Sequence, residues 1–266
     1  MRSRKTDKWR LIEKRGSGIG KDYKPWLKIH EFGSRGLTSR PLGWKTKRVH
    51  QLMSNLEYYT FLNLQYDPKV LDIREQYPLL PLEQTKLIAK QLDVAHPPKT
   101  RKEKTVMTTD FLITVTEPDG IISSLPKYMA IAVKPKKDLE DLRTREKLCI
   151  EEHYWRAKGI PFKVVTEQDI NRIQAKNLDM MYQSFWWDEE KGYLREDIES
   201  MLKEFKCSYK KTQKNLLNTL EVMEQKFNWI RGEGVSFLFY LITHRMVKVD
   251  MNKKIDIATL QVDFLE

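Results

Sequence analysis

The stretches MTTDFLITV (107–115) and YMAIAVKP (128–135) decide the fold of this 266-residue chain. Both are short runs of apolar, β-branched and aromatic residues, which predicts two consecutive strands of one sheet. Alternate side chains of a strand share a face, so Ala132 and Lys134 lie on the same side of the second strand. Asp110 lies near the start of the first strand. The two strands therefore bring a carboxylate and an amine close together.

A second carboxylate precedes the strands, in the segment HQLMSNLEYYTFLNLQYD (50–67). Leu52, Leu56 and Tyr59 recur at near-helical spacing, which predicts a helix that carries Glu57. Two acids and an amine on a small sheet can hold Mg²⁺ against a phosphate, because Mg²⁺ is commonly bound by one or two carboxylates together with substrate phosphates. This combination is typical of a metal-dependent DNA nuclease.

The composition is that of a globular protein. With 40% hydrophobic and 11% aromatic residues, the chain can bury one large core or two modest ones. It lacks the roughly 18 consecutive apolar residues of a membrane span, and its first residues, MRSRKTDKWR, lack the apolar run of a signal peptide. Its two cysteines form neither a disulfide framework nor a zinc spacing. We expect a cytoplasmic protein with no membrane association.

The net charge of +11 is concentrated at the amino end of the chain. Residues 1–50 contain 15 lysines and arginines against four acids, whereas the remaining residues contain 33 basic and 33 acidic side chains. Basic residues interleaved with Tyr23, Trp26 and Trp44 favour contact with a nucleic-acid backbone, although a solvated arm is an equal alternative. The residues that we expect to contact DNA are Lys21, Lys45, Lys47, Arg48, Arg101, Lys102, Lys136 and Lys137.

Further elements complete the predicted N-terminal domain. Helix signals include an acidic cap before an amphipathic run and a glycine after it. Strand signals are short β-branched runs bounded by proline. The predicted elements are a strand that ends at Pro78, a short helix or strand after Glu83, a helix from Asp138 to Lys158 stopped by Gly159, and a strand over 161–166. Gln76, on the first of these strands, is expected near the active-site cleft beside Glu57.

The C-terminal part has a different pattern, which predicts a small, mostly α domain. The aromatic cluster QSFWWDEE (183–190) is interpreted as a connector. Helices are predicted over about 193–207, 211–229 and 234–244, followed by a hairpin with a tight turn at Asn252 and Lys253. Three helices and a hairpin describe a winged-helix module. Such modules read DNA or dock proteins, and the sequence favours neither use.

The nuclease hypothesis assigns a role to each candidate residue. Asp110 and Glu57, with the backbone carbonyl of Val133, would hold the metal, and Lys134 would orient or deprotonate the attacking water and offset transition-state charge. Taken singly, each residue also has a structural explanation, as a strand start, a surface acid or the end of an edge strand. Glu146 and Glu151 are assigned to a helix surface, with a place at the edge of the site as the alternative for Glu151, and Cys149 is assigned to the inner face of that helix. The five histidines show no metal-ligand spacing.

Five motifs distinguish the chain: KDYKPWL (21–27), HQLMSNLEYYTFLNLQYDPKVLDIREQYPLLP (50–81), MTTDFL (107–112), AIAVKP (130–135) and EKLCIEEHYWRAKGIPFKVVT (146–166). Through these motifs the chain resembles the TnsA family, the endonuclease subunits of Tn-seven-type heteromeric transposases, some of which accompany CRISPR systems. The motifs that carry the resemblance run from about Lys21 to Asn171. This resemblance implies a restriction-endonuclease-like catalytic domain of the PD-(D/E)xK type over 1–170, in which a mixed sheet is flanked by helices. It also implies a winged-helix-like domain over 171–266.

The resemblance also implies an activity and partners. The family's catalytic acids fall on Glu57 and Asp110, and its catalytic lysine falls on Lys134. The implied reaction is cutting of the 5′ ends of the transposon with Mg²⁺, for which Mn²⁺ can substitute. A partner DDE-type recombinase processes the 3′ ends of the transposon-end DNA, and an AAA+ ATPase regulator docks on the C-terminal domain. Cut-and-paste transposition is the implied outcome.

One position departs from the family pattern. The residue two before the lysine is acidic in the PD-(D/E)xK pattern, whereas here it is Ala132, which has no side-chain oxygen. We expect Glu57 to compensate and the metal to bind weakly until DNA phosphate completes its ligands. The same alanine supports an alternative to the endonuclease, an inactive DNA-binding regulator. A third hypothesis, an assembly adaptor that bridges the recombinase and the AAA+ regulator, is compatible with the endonuclease.

Overall fold

In a computed structural model of the protein, residues 6–31, 37–97, 105–116 and 127–264 are described. The chain divides into two compact units, Met1–Ile170 and Asn171–Glu266, here called the N-terminal and C-terminal units. Within the described ranges, no helix is both long enough and apolar enough to cross a membrane.

A four-stranded sheet organises the N-terminal unit. Its strands are β1 (Val70–Pro78), β2 (Thr108–Val115), β3 (Lys127–Val133) and β4 (Phe162–Val165). They lie in the order β1-β2-β3-β4, with antiparallel pairing from β1 to β3 and parallel pairing between β3 and β4. The predicted α/β class with a mixed sheet is confirmed. The predicted strand that ends at Pro78 is also confirmed.

The α-helices in the described part of this unit are α1 (Asp7–Ile12), α2 (Asn55–Tyr66), α3 (Leu82–Gln91) and α4 (Leu142–Ala157). The helix predicted from Asp138 is α4, which begins four residues later because Lys136–Glu140 form a separate 3₁₀ turn. The predicted cap at Asp138 is therefore wrong. The N-cap of α4 is Asp141, whose carboxylate accepts a hydrogen bond from the Thr144 amide at 2.8 Å. Gly159, with a φ of 67°, ends the helix as predicted.

The core of this unit lies between α4, α3 and the sheet. Ile150 and Trp155 of α4 pack with Leu112 of β2 and Ala130 of β3. This buried stripe follows the helical spacing of α4. Cys149 lies beside the stripe and is exposed, so its predicted place on the inner helix face is wrong.

The basic N-terminal segment is folded against β1. Tyr23, Trp26 and Trp44 are buried, and their predicted role beside a nucleic-acid backbone is wrong. The Tyr23 hydroxyl donates to the Glu75 carbonyl at 3.0 Å, and the Trp26 amide donates to the Gln76 carbonyl at 3.2 Å. The described part of this segment is therefore not a solvated arm, because Tyr23, Trp26 and Trp44 pack inward and its backbone bonds to the strand.

Internal ion pairs use several of its charges. Arg15 donates to the Glu31 carboxylate at 2.6 Å and to the Trp26 carbonyl at 2.9 Å. Arg10 reaches the same carboxylate at 3.1 Å. Burial opposes ionisation of Glu31, but the two guanidinium groups outweigh it and lower the pKa of this carboxyl. These arginines stabilise the fold of the segment.

A second network joins the segment to the sheet at Glu75, whose side chain has no solvent exposure. Arg48 donates to both carboxylate oxygens of Glu75, at 2.8 and 2.5 Å, and the His50 Nδ1 atom lies 2.7 Å from Oε2. Burial alone would raise the pKa of Glu75, but His50 and Arg48 outweigh it and lower the pKa to about 2. A fully satisfied buried carboxylate of this kind fixes the register of the segment on β1.

The C-terminal unit contains five α-helices within the described residues. The predicted helices correspond to α7, α8 and α9, and the sequence analysis missed the two that precede them. The helices are α5 (Arg172–Met181), α6 (Trp187–Lys191), α7 (Arg195–Lys211), α8 (Leu216–Phe227) and α9 (Glu233–Thr243).

The aromatic cluster at 183–190 is part of the core of this unit. It forms a 3₁₀ turn, Gln183–Trp186, that leads into α6. Trp187 is buried, with ring centroids 5.2 Å from both Trp229 and Phe237. The interpretation of the cluster as a connector is wrong, because large aromatic side chains at this position supply much of the apolar area that a small helical unit needs.

The predicted hairpin about Asn252 and Lys253 does not form. Residues Val247–Lys248 pair instead with Asp263–Phe264, as strands β5 and β6. The chain after the turn is held by Asn177, which donates to the Lys253 carbonyl at 2.7 Å and accepts from the Ile255 amide at 3.1 Å. These side-chain bonds satisfy backbone groups that a hairpin would have paired.

The Glu75 network generates a stability prediction. The substitution Glu75→Gln should lower the free energy of unfolding at pH 7 by about 3 kcal/mol, because it leaves the Arg48 guanidinium buried without its counter-charge. Because the pKa of Glu75 is lowered from 4.5 to about 2 on folding, its contribution is present above pH 4.5 and is lost as the pH falls toward 2.

Urea unfolding of the native and variant proteins between pH 2 and 7 measures this contribution. Glu83→Gln, at an exposed position in the first turn of α3, is the control and should change the free energy of unfolding by less than about 1 kcal/mol. An equally small change for Glu75→Gln at pH 7 would contradict the role given to the network.

Candidate active site

Asp110, Val133 and Lys134 meet where β2 and β3 lie side by side. The Asp110 Oδ2 atom accepts a hydrogen bond from the Val133 amide at 2.7 Å and lies 2.8 Å from the Lys134 ammonium. The same ammonium donates to the Val133 carbonyl at 3.0 Å. The structure thus brings together the carboxylate and the amine that the strand pattern predicted to be close. Asp110 Oδ1 takes neither of these bonds.

Lys134 is placed by the strands on both sides of it. It follows β3 directly, and its amide donates to the Val165 carbonyl of β4 at 3.0 Å. Its side chain is 31% exposed, so the ammonium lies at the solvent edge of the site. Burial lowers the pKa of Lys134, but the carboxylates of Asp110 and Glu151 outweigh it and raise the pKa above its ordinary value. The ammonium is therefore charged at neutral pH.

Glu57 is oriented by the start of α2. Ser54 is the N-cap of this helix, and its hydroxyl accepts a bond from the Glu57 amide at 3.2 Å and donates to Glu57 Oε1 at 3.1 Å. The Met53 amide donates to Glu57 Oε2 at 2.9 Å. This arrangement resembles a capping box, in which the acid at the third helical position folds back over the helix start. The helix start thereby fixes the direction of the carboxyl group.

The environment of Glu57 disfavours the charged form of its carboxyl group, which makes this carboxyl electrostatically strained. It is buried, and burial together with the negative charge of Asp110 raises its pKa to about 7. Two carboxylates that share a dry site repel each other, so a cation between them is stabilised. Oxygen atoms from two carboxylates and the Val133 carbonyl form a donor set that suits Mg²⁺. The residues of this site therefore fit a magnesium ion.

The set of protein ligands is small. Among the described residues, no group of three or more His, Cys, Asp and Glu side chains has the arrangement of a metal site. Ala132 is fully buried and supplies no side-chain oxygen. Mg²⁺ usually keeps several waters and is rarely enclosed by protein alone. The site matches that preference, because substrate phosphate and water would have to supply the remaining ligands.

Glu151 belongs to the site, although the sequence analysis assigned it to a helix surface. Its side chain is buried, and burial together with the charge of Asp110 raises its pKa to about 8. The charge of Lys134 acts on it in the opposite direction. One signal was available in the sequence, since Glu151 lies four residues before Trp155 and therefore on the same helix face as a core residue.

Thr109 holds Glu151 in place. The indole Nε1 of Trp155 donates to the Thr109 hydroxyl at 2.7 Å, and that hydroxyl lies 3.1 Å from Glu151 Oε2. An indole N–H is only a donor, so the Thr109 oxygen accepts from Trp155 and its single proton points to Glu151. This hydrogen-bond chain joins the Glu151 carboxyl through Thr109 to Trp155 of the core.

The predicted DNA contacts divide into three groups. Lys21, Lys47, Lys136 and Lys137 are exposed, and Lys45 is partly buried. Arg48 is buried, and both carboxylate oxygens of Glu75 accept hydrogen bonds from it, so its prediction as a DNA contact is wrong. The other two predicted residues, Arg101 and Lys102, lie outside the described residues.

Comparison with known proteins identifies similar sequences. A family model described as "TnsA-like endonuclease N terminal" matches residues 67–167, a range that includes Asp110, Lys134 and Glu151. The Escherichia coli protein named transposon Tn7 transposition protein TnsA is 35% identical over 263 residues. This match covers 97% of the chain and 92% of the Escherichia coli protein, so the similarity extends over both units.

The raised pKa of Glu151 generates a pH-dependent prediction. Between pH 4.5 and about 8, the folded chain retains a proton on Glu151 that the unfolded chain releases, so folding stability falls as the pH rises through this range. Glu151→Gln removes the titrating group. It should raise the free energy of unfolding by up to about 5 kcal/mol at pH 9, the free energy that corresponds to a pKa change from 4.5 to about 8, and by much less at pH 5.

Denaturant unfolding at both pH values measures the difference. Glu152→Gln, the next residue of α4, pairs at the surface with Arg156 and is the matched control. The control should show less than about 1 kcal/mol at either pH. If Glu151→Gln had the same effect at pH 5 and pH 9, the carboxyl would not be titrating in this range.

Proposed function

This chain belongs to the TnsA family, and on that premise we propose that it is the Mg²⁺-dependent endonuclease subunit of a transposase, which cuts the 5′ ends of the transposon. The observation that carries the proposal is the 2.8 Å contact between Asp110 and Lys134, with the electrostatically strained Glu57 beside it. The restriction-endonuclease-like assignment is supported by the mixed sheet that carries both residues.

Asp110, Glu57 and the Val133 carbonyl would hold the metal. When bound there, Mg²⁺ would supply a Lewis acid for the scissile phosphate and lower the pKa of an attacking water. Asp110 can bind the metal and keep its hydrogen bonds to the protein at the same time. Oδ2 accepts the bonds from the Val133 amide and the Lys134 ammonium, and the carboxylate has a second oxygen, Oδ1.

Lys134 would act on the charge that develops on the phosphate. A phosphodiester gains negative charge as it becomes five-coordinate, and a fixed ammonium at the site edge stabilises that charge. Because the pKa of Lys134 is raised, its charged form is favoured, which supports charge stabilisation over removal of a proton from water. Its 31% exposure allows a bound phosphate to reach it.

Exposed lysines of the N-terminal unit would position the DNA. Lys136 and Lys137 follow Lys134 on the 3₁₀ turn, and Lys21 and Lys47 lie on the N-terminal segment. Neutralisation of phosphates by lysine releases counterions, so this binding should weaken as salt concentration rises. Such contacts carry no sequence information directly, so recognition of the transposon end would belong to a partner.

The partners follow from the family. We infer that a DDE-type recombinase cuts the 3′ strands at the same ends, so that the two subunits together release the element for cut-and-paste transposition. An AAA+ ATPase regulator would dock on the C-terminal unit, for which a winged-helix-like architecture stays a prediction. The five helices and buried aromatic core of this unit are compatible with a docking module.

A second candidate function rests on Ala132. If the missing carboxylate were essential for metal binding, the chain would act as an inactive DNA-binding adaptor that bridges the recombinase and the regulator. The raised pKa of Glu57 favours the active enzyme. Glu57 and Asp110 repel each other and so lower the stability of the fold, and strongly perturbed pKa values of this kind are concentrated at functional sites.

A strand-specific cleavage assay distinguishes the two functions. With transposon-end DNA, the partner recombinase and Mg²⁺, the native protein should cut the 5′ strands. Asp110→Asn and Lys134→Ala should each reduce that cleavage by at least about 100-fold, because each removes a group that acts on the reacting phosphate. DNA association, measured by fluorescence anisotropy, should stay near the native value.

Lys90→Ala, at an exposed position at the end of α3, is the charge control for Lys134→Ala and should cut normally. Normal cutting by Asp110→Asn would contradict the proposed site. A native complex that binds DNA but leaves the 5′ strands intact would support the adaptor.

A further inference from the structure

Gln76 has an unusual backbone conformation for a strand residue. It lies near the end of β1, yet its φ is 49°, which is the left-handed region that residues with a Cβ atom seldom adopt. Its side chain is buried, with 3% exposure. Non-glycine residues in strained conformations cluster at functional sites, where the surrounding structure holds them.

The side chain of Gln76 links two elements of the active site. Its Nε2 atom donates to Glu57 Oε2 at 3.3 Å, and its Oε1 atom accepts from the Thr108 hydroxyl at 3.3 Å. The ionised Glu57 carboxylate only accepts hydrogen bonds, so the amide nitrogen of Gln76 faces it and the amide oxygen faces the Thr108 hydroxyl. The main-chain carbonyl accepts from the Trp26 amide at 3.2 Å.

The strand register sets Gln76 opposite Asp110. The pairs on either side are Glu75↔Phe111 and Tyr77↔Thr109, so residue 76 faces residue 110 across the ladder. Gln76 therefore lies between the strand that carries one carboxylate and the helix that carries the other. The other donors to the Glu57 carboxyl, Met53 and Ser54, belong to the start of α2.

The chemistry of an amide suits this position. A lysine would neutralise Glu57 and compete with a metal, and a glutamate would add a third negative charge to a repelled pair. An amide donor orients the carboxyl group and leaves its charge intact. A residue that ties helix to sheet in this way controls the separation of Glu57 from Asp110, and small displacements of reacting groups have large effects on rate.

We propose that Gln76 is a positioning residue for Glu57, retained in a left-handed conformation because its amide must reach that carboxyl from β1. The proposal rests on the proposed nuclease function. It adds to the site a residue that contacts neither metal nor phosphate and acts through Glu57.

Two substitutions that both tolerate the backbone conformation of Gln76 test the proposal. Gln76→Gly removes the side chain and suits a positive φ, so backbone strain is relieved while the link to Glu57 is lost. Gln76→Asn also tolerates the left-handed region, but it is one methylene shorter and cannot bridge Thr108 and Glu57. Gln213→Gly is the matched control, because Gln213 is an exposed glutamine with a φ of 54° in the C-terminal unit.

Two measurements are made on the full complex of protein, recombinase and transposon-end DNA. The first is the rate of 5′-strand cleavage as a function of Mg²⁺ concentration, which should fall by about 10- to 100-fold in both Gln76 variants, with a higher Mg²⁺ requirement. The second is the rise in the thermal unfolding midpoint of the protein on DNA when Ca²⁺, an ion with the same preference for oxygen ligands, is added. That rise should shrink in both variants.

Unfolding midpoints without metal and DNA affinities should stay near native values, and Gln213→Gly should match the native protein in cleavage. Near-native cleavage by Gln76→Gly and Gln76→Asn would overturn the proposal. Losses of cleavage that parallel lower unfolding midpoints and weaker DNA binding would also overturn it, since Gln76 would then be structural.

The same cleavage assay tests the proposed nuclease function separately from the role of Gln76. Cutting by the native complex that is lost in Asp110→Asn supports the nuclease, whatever the Gln76 variants do. Absence of cutting by the native complex would overturn both the nuclease and the role of Gln76. Native-like cutting by both Gln76 variants would overturn only the role of Gln76 and would leave the proposed nuclease function intact.

Discussion

The repulsion between the buried carboxyl groups of Glu57 and Asp110 is the constraint around which the N-terminal unit is built. Burial raises the pKa of Glu57 to about 7, and the charge of Asp110 adds to the effect. The same pattern recurs at Glu151, whose pKa rises to about 8, while Lys134 supplies the neighbouring positive charge. Such a cluster destabilises the fold at neutral pH, and binding a cation would relieve it.

The rest of the unit holds this cluster together. The N-terminal segment is anchored to β1 by the Arg48, His50 and Glu75 network, and it continues into Met53, whose amide bonds to Glu57. On α4, Trp155 orients Thr109, which in turn bonds to the Glu151 carboxyl. The basic segment therefore contributes to the site through structure, and its charge excess is partly consumed by internal ion pairs.

Sequence periodicity predicted the parts of the site that depend on local pattern. The alternation of YMAIAVKP and the β-branched run after Asp110 were sufficient to place Asp110 on one strand and Lys134 at the end of the neighbouring strand, which the structure ends at Val133. Glu151 was assigned to the helix surface because its only local sign of burial is its spacing from Trp155, whereas its hydrogen bond comes from Thr109 on β2. The hairpin at Asn252 failed for a similar reason, since the competing bonds come from Asn177, about 75 residues earlier.

Anomalous diffraction from Mn²⁺ tests the central claim most directly. Crystals of the protein bound to a transposon-end duplex, soaked in Mn²⁺, should show a peak about 2 Å from oxygen atoms of Asp110 and Glu57 and from the Val133 carbonyl. The Lys134 ammonium should stay within hydrogen-bond distance of Asp110. An ordered site with both carboxyl groups in view and no peak between them would contradict the account.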